Sequence, residues 1–293
     1  MSNYKFWTDE ELNLLKQQIK LNKSFDKMSR LFPDRTMTSL QKKTLKLGYH
    51  KPYKSRKYTY NKKFFETPNL INSYFAGFIS ADFCVHMRDG HYPILQGNLS
   101  SRDIGVLRKL KEHSGYTGPV SEYKRKASLS KHTQDVCYIA VAGCYEWAED
   151  LNRNFNIVER KTKNQAPPNL SLENKLAFLC GYFDGDGCVC LTKSGRTSLR
   201  AWSTNKVIIN WMNEILCSLL GDKAKNLYFT KSNCWSLGFS PHQSLVLIDL
   251  FGSIPVPSLE RKWKKPKVLA KIEDLRKRLP NKFLNYHDLC KPA

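Results

Sequence analysis

Two stretches read as versions of one another: LAFLCGYFDGDGCV (residues 176–189) and NSYFAGFISADF (residues 72–83). Each opens apolar, passes through small residues and closes on an aspartate, Asp186 in one and Asp82 in the other. The spacing predicts a helix for both. Gly77 and Ala81 stand four apart, as do Ala76 and Ser80, and the pairs Gly181/Gly185 and Cys180/Asp184 repeat the interval. Residues four apart share a helix face, so each segment carries a smooth stripe along which a second backbone can approach closely. Phe75, Phe78, Ile79, Leu179, Tyr182 and Phe183 are left to face each half's own core. Packing along the stripes brings Asp82 and Asp186 together. Carboxylates forced together need cations between them, and hard oxygen ligands favour magnesium or a similar ion.

The duplication extends beyond these helices. Gly115 follows Asp82 by 33 positions and Gly221 follows Asp186 by 35; VERK ends at Lys161, 79 positions after Asp82, and LERK at Lys262, 76 after Asp186. Between these landmarks the first half predicts helices over 70–82, 103–114 and 144–155, with strands around FCVHMR, YPILQGNLSS, GPVSEYKRKAS and DVCYIAV. The second repeats the series with CVCLTK, TSLRAWST, NLYFTKS and CWSLGFS and helices over 206–220 and 243–251. The fold class is therefore α+β, built as two pseudo-symmetric α-β-β-α-β-β-α halves, 67–168 and 169–293, the second with a basic C-terminal helix. Alternation gives the sheets a polar face: Gln96, Asn98, Ser100 and Arg102 in one half, Ser198, Arg200, Trp202 and Thr204 in the other. Such side chains read base edges. With 48 Lys+Arg against 26 Asp+Glu, a net charge of +22, the expected partner is a polyanion, double-stranded DNA first and an anionic membrane second.

The paired segments resemble the LAGLIDADG homing endonucleases, in the monomeric form with two motifs. LCGYFDGDG (179–187) keeps the pattern nearly intact, FAGFISADF (75–83) departs at Ser80 and Phe83, and the resemblance covers roughly residues 67–275. It implies a DNA-binding saddle whose sheets lie along the major groove and whose motif helices meet over the minor groove. It further implies that Asp82 and Asp186 bind Mg2+, or another divalent cation such as Mn2+, and direct waters against one phosphodiester on each strand. The carbonyls of Ala81 and Gly185 would assist. Lys161 and Lys262 match the basic residue near each centre, with Lys163 as the alternative to Lys161, and suit polarising water or offsetting phosphate charge. The implied activity is a site-specific double-strand break in a long non-palindromic target. Relatives of this fold also serve as RNA-splicing maturases, and a DNA-binding regulator without cleavage is a third reading; two retained acids that repel phosphate argue against the third. The centres are expected to be unequal, because Ser80 stands where the second motif has Asp184, and Phe83, which disfavours positive φ, where it has Gly187.

The first fifty residues predict a separate module of three short helices. WTDEELNLLKQQIKL opens on Thr8 as N-cap with Glu11 three residues on, a capping box. SFDKMSRLF is closed by Pro33, and RTMTSLQKKTLKLGY buries a Met37, Leu40, Thr44 and Leu47 stripe and ends at Gly48. Its other face carries Thr38, Ser39, Lys42, Lys43 and Lys46. The W-[ST]-x-E-E opening and R-T-x-x-S-L-x-x-K third helix resemble the Myb/SANT-like helix-turn-helix class, with Trp7 alone of its tryptophans and Phe25 and Phe32 as substitutes. DNA binding is expected of residues 1–50, and residues 51–66, rich in Lys, Arg and Tyr, are expected to be a basic linker. The nine cysteines include no CxxC pair and read as reduced thiols of an intracellular protein, in a bacterial cytoplasm or a eukaryotic organelle or nucleus. No apolar run reaches the roughly eighteen residues of a membrane span, and the amino terminus reads as neither signal nor transit peptide.

Overall fold

The computed structural model describes residues 7–21, 25–47, 58–86, 92–126, 133–159 and 161–291. The chain divides into two compact units, residues 1–57 and 58–293. In the first, α1 (Asp9–Lys20), α2 (Phe25–Ser29) and α3 (Met37–Lys46) enclose Leu15, Met28, Phe32 and Leu40. The capping box forms as expected: Thr8 Oγ1 accepts from the Glu11 amide at 3.2 Å and Glu11 accepts from the Thr8 amide at 3.0 Å. Glu11 also takes both arms of the Arg35 guanidinium, at 2.9 and 2.6 Å, which ties the start of α1 to the turn before α3. Thr38, Ser39, Lys42, Lys43 and Lys46 line one shallow cavity with Trp7 and Thr36. Gly48 lies outside the described residues.

The second unit begins earlier than composition suggests. Residues 51–57 of the expected linker lie outside the described residues, but Tyr58, Tyr60, Phe64 and Phe65 pack on the main core. The Trp147 indole donates to Asn61 O at 2.7 Å, Asn154 Nδ2 donates to Phe65 O at 2.8 Å, and Tyr60 Oη donates to Glu146 at 2.7 Å. The charge run hid an aromatic ladder, and burial of those rings outweighs the solubility of the lysines between them.

From there the elements follow the predicted series. The first half holds α4 (Leu70–Asp82), β1 (Phe83–His86), β2 (Ile94–Ser100), α5 (Ile104–His113), β3 (Ser121–Lys126), β4 (Thr133–Ala142), α6 (Tyr145–Phe155) and the short α7 (Lys161–Asn164). The second holds α8 (Leu172–Asp186), β5 (Gly187–Leu191), β6 (Thr197–Ser203), α9 (Lys206–Leu219), β7 (Tyr228–Phe229), β8 (Trp235–Gly238), α10 (Pro241–Ser253) and the short α11 (Glu260–Trp263). Helices α12 (Pro266–Arg278) and α13 (Tyr286–Leu289) extend it; α12 buries Val268, Ile272 and Leu275 and ends on Arg276, Lys277 and Arg278. The two antiparallel sheets have matching strand orders, β1-β2-β4-β3 and β5-β6-β8-β7. In β2 and β6 the polar and buried positions alternate as the pattern demands. Two expected row members fall outside the strands: Arg102 sits in a 3₁₀ turn (Ser101–Asp103), and Thr204 lies beyond the end of β6.

Helices α4 and α8 touch backbone to backbone. A Cβ at Gly77 would lie 1.9 Å from Phe178 O, and one at Gly181 would lie 1.9 Å from Tyr74 O, so only glycine fits either place. Half of each predicted stripe is used. Ala76 and Cys180 are buried in the core instead, Cys180 turning toward α10, and Ser80 and Asp184 make polar contacts described below. The expected difference in backbone exit does not occur: Phe83 has φ −102° and ψ 160°, Gly187 φ −95° and ψ 160°. Phe83 pairs with Gly97, whose missing side chain makes room for the ring, while Gly187 pairs with Ala201. Bulk has moved across the ladder rather than altering the path of the chain.

Candidate active site

Asp82 and Asp186 are the last residues of α4 and α8, so close packing of those helices sets the distance between the two acids. Asp82 Oδ2 lies against Gly185, 3.1 Å from where a Cβ would stand. Both carboxyls titrate above the ordinary range. Burial, then the charge of Asp186, pushes Asp82 up to about 6, and burial raises Asp186 as well.

Each acid opens into a separate cavity, and each cavity draws on both halves. Asp186 faces one of about 220 Å³ with Ser80, Ala81, Lys161 and Gln165, contributed by the first half. Asp82 faces one of about 340 Å³ with Gly185, Gly187 and Lys262, contributed by the second. Every acid therefore meets the helix end and the lysine of the opposite half. The continuous duplication could not reveal this exchange, because it is a property of how the halves pack.

The two lysines are buried and are engaged with the backbone. Lys161 Nζ donates to Ser80 O and, at 3.3 Å, to Ala81 O. Lys262 Nζ donates to Phe183 O, Asp184 O, Gly185 O and Gly187 O at 2.8, 2.5, 3.3 and 2.7 Å. Ammonium groups at these positions satisfy the free carbonyls of a helix C-terminus and oppose its partial negative charge, which makes room for an aspartate at the end. Burial lowers the pKa of both lysines; the charges of Asp186 and Asp82 counter that shift at Lys161, and those of Asp184 and Asp82 counter it at Lys262. The Ala81 and Gly185 carbonyls expected to assist a cation thus already accept a hydrogen bond from lysine, and each retains a second lone pair. Nothing is described for the side chain of Lys163.

Asp184 stands where the first motif has Ser80, and its charge is not left free beside a centre. Its carboxylate instead accepts from the Tyr74 hydroxyl, the Leu259 amide and the Trp263 indole, each at 2.8 Å, and it is 2% exposed. Three donors stabilise the charged form against burial and fasten α11 to α8. Ser80 does the corresponding task with one bond, its hydroxyl donating to Gln165 Oε1 at 2.7 Å. Gln165 and Asn205, whose Nδ2 donates to Gln165 O at 2.8 Å, carry no sequence signal beyond being polar.

Within each sheet the strand members of the expected base-reading row alternate with buried residues. Tyr123 Oη donates to Asn98 Oδ1 at 2.8 Å and Tyr138 Oη to Gln96 Oε1 at 3.3 Å, so tyrosines hold the first row in place. In the second sheet Arg200 Nε donates to Ser198 Oγ at 3.0 Å, and Trp202 and Thr204 border the Asp186 cavity. Arg102 borders the Asp82 cavity, and Ser100 lies beside it.

Among the described residues no group of three His, Cys, Asp or Glu side chains could hold a metal ion. Each cavity nevertheless offers hard donors: Asp186 with the Ala81 carbonyl in one, and Asp82 with the Gly185 carbonyl in the other, where Asp103 is held by Arg261 and Asp184 by three donors of its own. Magnesium is commonly held by one or two carboxylates together with substrate phosphates and water, so the residues fit a cation shared with a phosphodiester.

Residues 173–225 match the LAGLIDADG-like domain family. Among solved structures the chain is similar to the homing endonuclease I-WcaI bound to its DNA recognition sequence, at 15% identity over 78% of this chain and 97% of that chain, with a TM-score of 0.47. It is also similar to mesophilic variants of the homing endonuclease I-DmoI, at 14% identity over 68% and 97% with a TM-score of 0.45. A third is LAGLIDADG homing endonuclease I-GzeII in complex with its DNA target, at 15% identity over 75% and 96% with a TM-score of 0.43. No curated protein matches the sequence.

Proposed function

We propose that this chain is a monomeric, two-motif homing endonuclease that cuts both strands of a long non-palindromic DNA duplex. The observation that carries the reading is the pair of exchanged cavities: an acid from one half, a carbonyl and a buried lysine from the other, twice. Hydrolysis of two antiparallel strands needs two reaction centres related by near two-fold symmetry, and the duplicated fold supplies them in a single chain. Asp82 with Gly185 O, and Asp186 with Ala81 O, would each hold one divalent cation, Mg2+ or Mn2+. Bound there, it supplies charge neutralisation at the scissile phosphate and a more acidic water. Lys161 and Lys262 hold the carbonyls and aspartates in register. The polar sheet faces form the saddle, with Gln96, Asn98 and Ser100 opposite Ser198, Arg200 and Trp202, so the half-sites need not match.

The net charge of +22 makes the affinity strongly salt-dependent. Displacing counterions from about ten phosphates gives a log–log slope of about −9, a loss of about 10⁵-fold between about 50 and 200 mM salt. Filter binding or anisotropy across that range checks it; a nearly flat response contradicts a cationic saddle on DNA.

Residues 1–50 act in this reading as a Myb/SANT-like module whose α3 lays Lys42, Lys43 and Lys46 on flanking DNA. A fragment starting near residue 52, which keeps Tyr58 to Phe65, should cut at high protein concentration and protect a shorter footprint. A well-folded fragment that cuts nothing at any concentration contradicts this division of labour. A start at residue 67 would remove Phe64 and Phe65 from the core and test folding instead.

A further inference from the structure

The Asp82 cavity holds a built feature that crosses the halves. Arg261 immediately precedes Lys262 on α11, and its guanidinium forks onto Asp103 of the first half, Nε to Oδ1 at 2.5 Å and Nη2 to Oδ2 at 2.6 Å. Both residues line the Asp82 cavity. Asp103 is 8% exposed and stands at the N-cap of α5, where an aspartate ordinarily accepts from the helix amides; here its side chain makes no capping bond. The carboxylate thus forgoes the local stability of a cap for the distant arginine. Asn205 occupies the corresponding N-cap of α9 at the other cavity and behaves differently. Its Oδ1 accepts from the Val207 and Ile208 amides at 3.0 and 3.2 Å, so it caps its helix in the ordinary way.

We propose that Asp103 and Arg261 are positioning residues for the Asp82 centre alone: a latch between the halves that holds α11, and with it Lys262, over the end of α8 while that centre works. A bidentate arginine–carboxylate pair fixes both distance and orientation, which a single ammonium cannot. Lys262 must reach four carbonyls from a helix of four residues, so small rotations of α11 would break several of its bonds at once. The inequality between the centres then lies in this latch, not in Ser80 or Phe83. This inference rests on the nuclease reading.

The test is strand-resolved cleavage of an end-labelled target by full-length Asp103→Asn. Asparagine is a good N-cap, so α5 is retained, and a melting temperature within a few degrees of the parent verifies it. The expected result is a 10- to 100-fold slower cut on one strand, the same strand that Lys262→Met slows more, with nicked product accumulating and the other strand cut at the parental rate. The charge-swapped pair Asp103→Arg with Arg261→Asp should recover part of the lost rate. Equal slowing of both strands, or no change in either, overturns the latch. A parent protein that cuts no duplex at all overturns the nuclease reading itself, so the two failures are distinct.

Discussion

Asp82→Asn and Asp186→Asn bind the target duplex at least as tightly as the parent and make double-strand breaks at least about 10³-fold more slowly. Each substitution removes the terminal carboxylate of its helix, and Asp184, which also borders the Asp82 cavity, cannot take over because its oxygens are held by Tyr74, Leu259 and Trp263. Affinity survives because the neutral amide no longer repels phosphate. Nicks on the strand of the intact centre are the residual product. The same change stabilises the free protein. Asp82 rises from 3.8 to about 6 on folding, so its charge opposes the folded state. That cost is absent below about pH 4, accrues between about 4 and 6 and is complete above it; discounted for the exposure of Asp82, Asn at this position gains about 1 kcal/mol at neutral pH. Parental cleavage should rise with pH through about 6 as the carboxyl ionises. Thermal melts at pH 4 and pH 7.5 separate these effects: the Asn variant should be the more stable only at the higher pH, and equal melting at both contradicts the assignment of the shift to Asp82.

Gly77→Ala and Gly181→Ala each destabilise the second unit by about 3 kcal/mol or more. A single methyl group would stand 1.9 Å from a backbone carbonyl of the facing helix, and neither backbone can withdraw without pulling the two acids apart. Urea unfolding of the full chain measures it. If either variant shifted the midpoint by less than about 1 kcal/mol equivalent, the close approach of α4 and α8 would be wrong, and with it the spacing of the cavities.

Much of this is legible in the sequence. Acid-terminated helices with small residues four apart predict a helix pair, and the common register predicts two matched four-stranded sheets, because both signals are local or periodic. The parts that were not legible depend on contacts between distant segments. Helices α7 and α11, which deliver Lys161 and Lys262, are four residues long and leave no periodic trace. The Tyr58–Phe65 segment carries its aromatics among lysines, so its composition reads as linker while its packing is core. Phe83 suggested a distorted exit from α4, but the compensating absence of a side chain at Gly97 lies on the neighbouring strand. The Asp103–Arg261 pair joins positions 158 residues apart. Nothing in either neighbourhood marks it, except an aspartate at a helix start that does not cap.

The proposed function assigns metal-dependent cleavage of both DNA strands to the paired acids. Its most direct test is a cleavage selection: the purified full chain is incubated with a randomised duplex library and Mg2+, and cut ends are captured and sequenced. One enriched, non-palindromic target cut on both strands near its centre is expected, with EDTA and the Asp82→Asn, Asp186→Asn double variant both abolishing the product. Absence of any target enriched over that double variant, or cutting that persists in EDTA, contradicts metal-dependent cleavage by the paired acids.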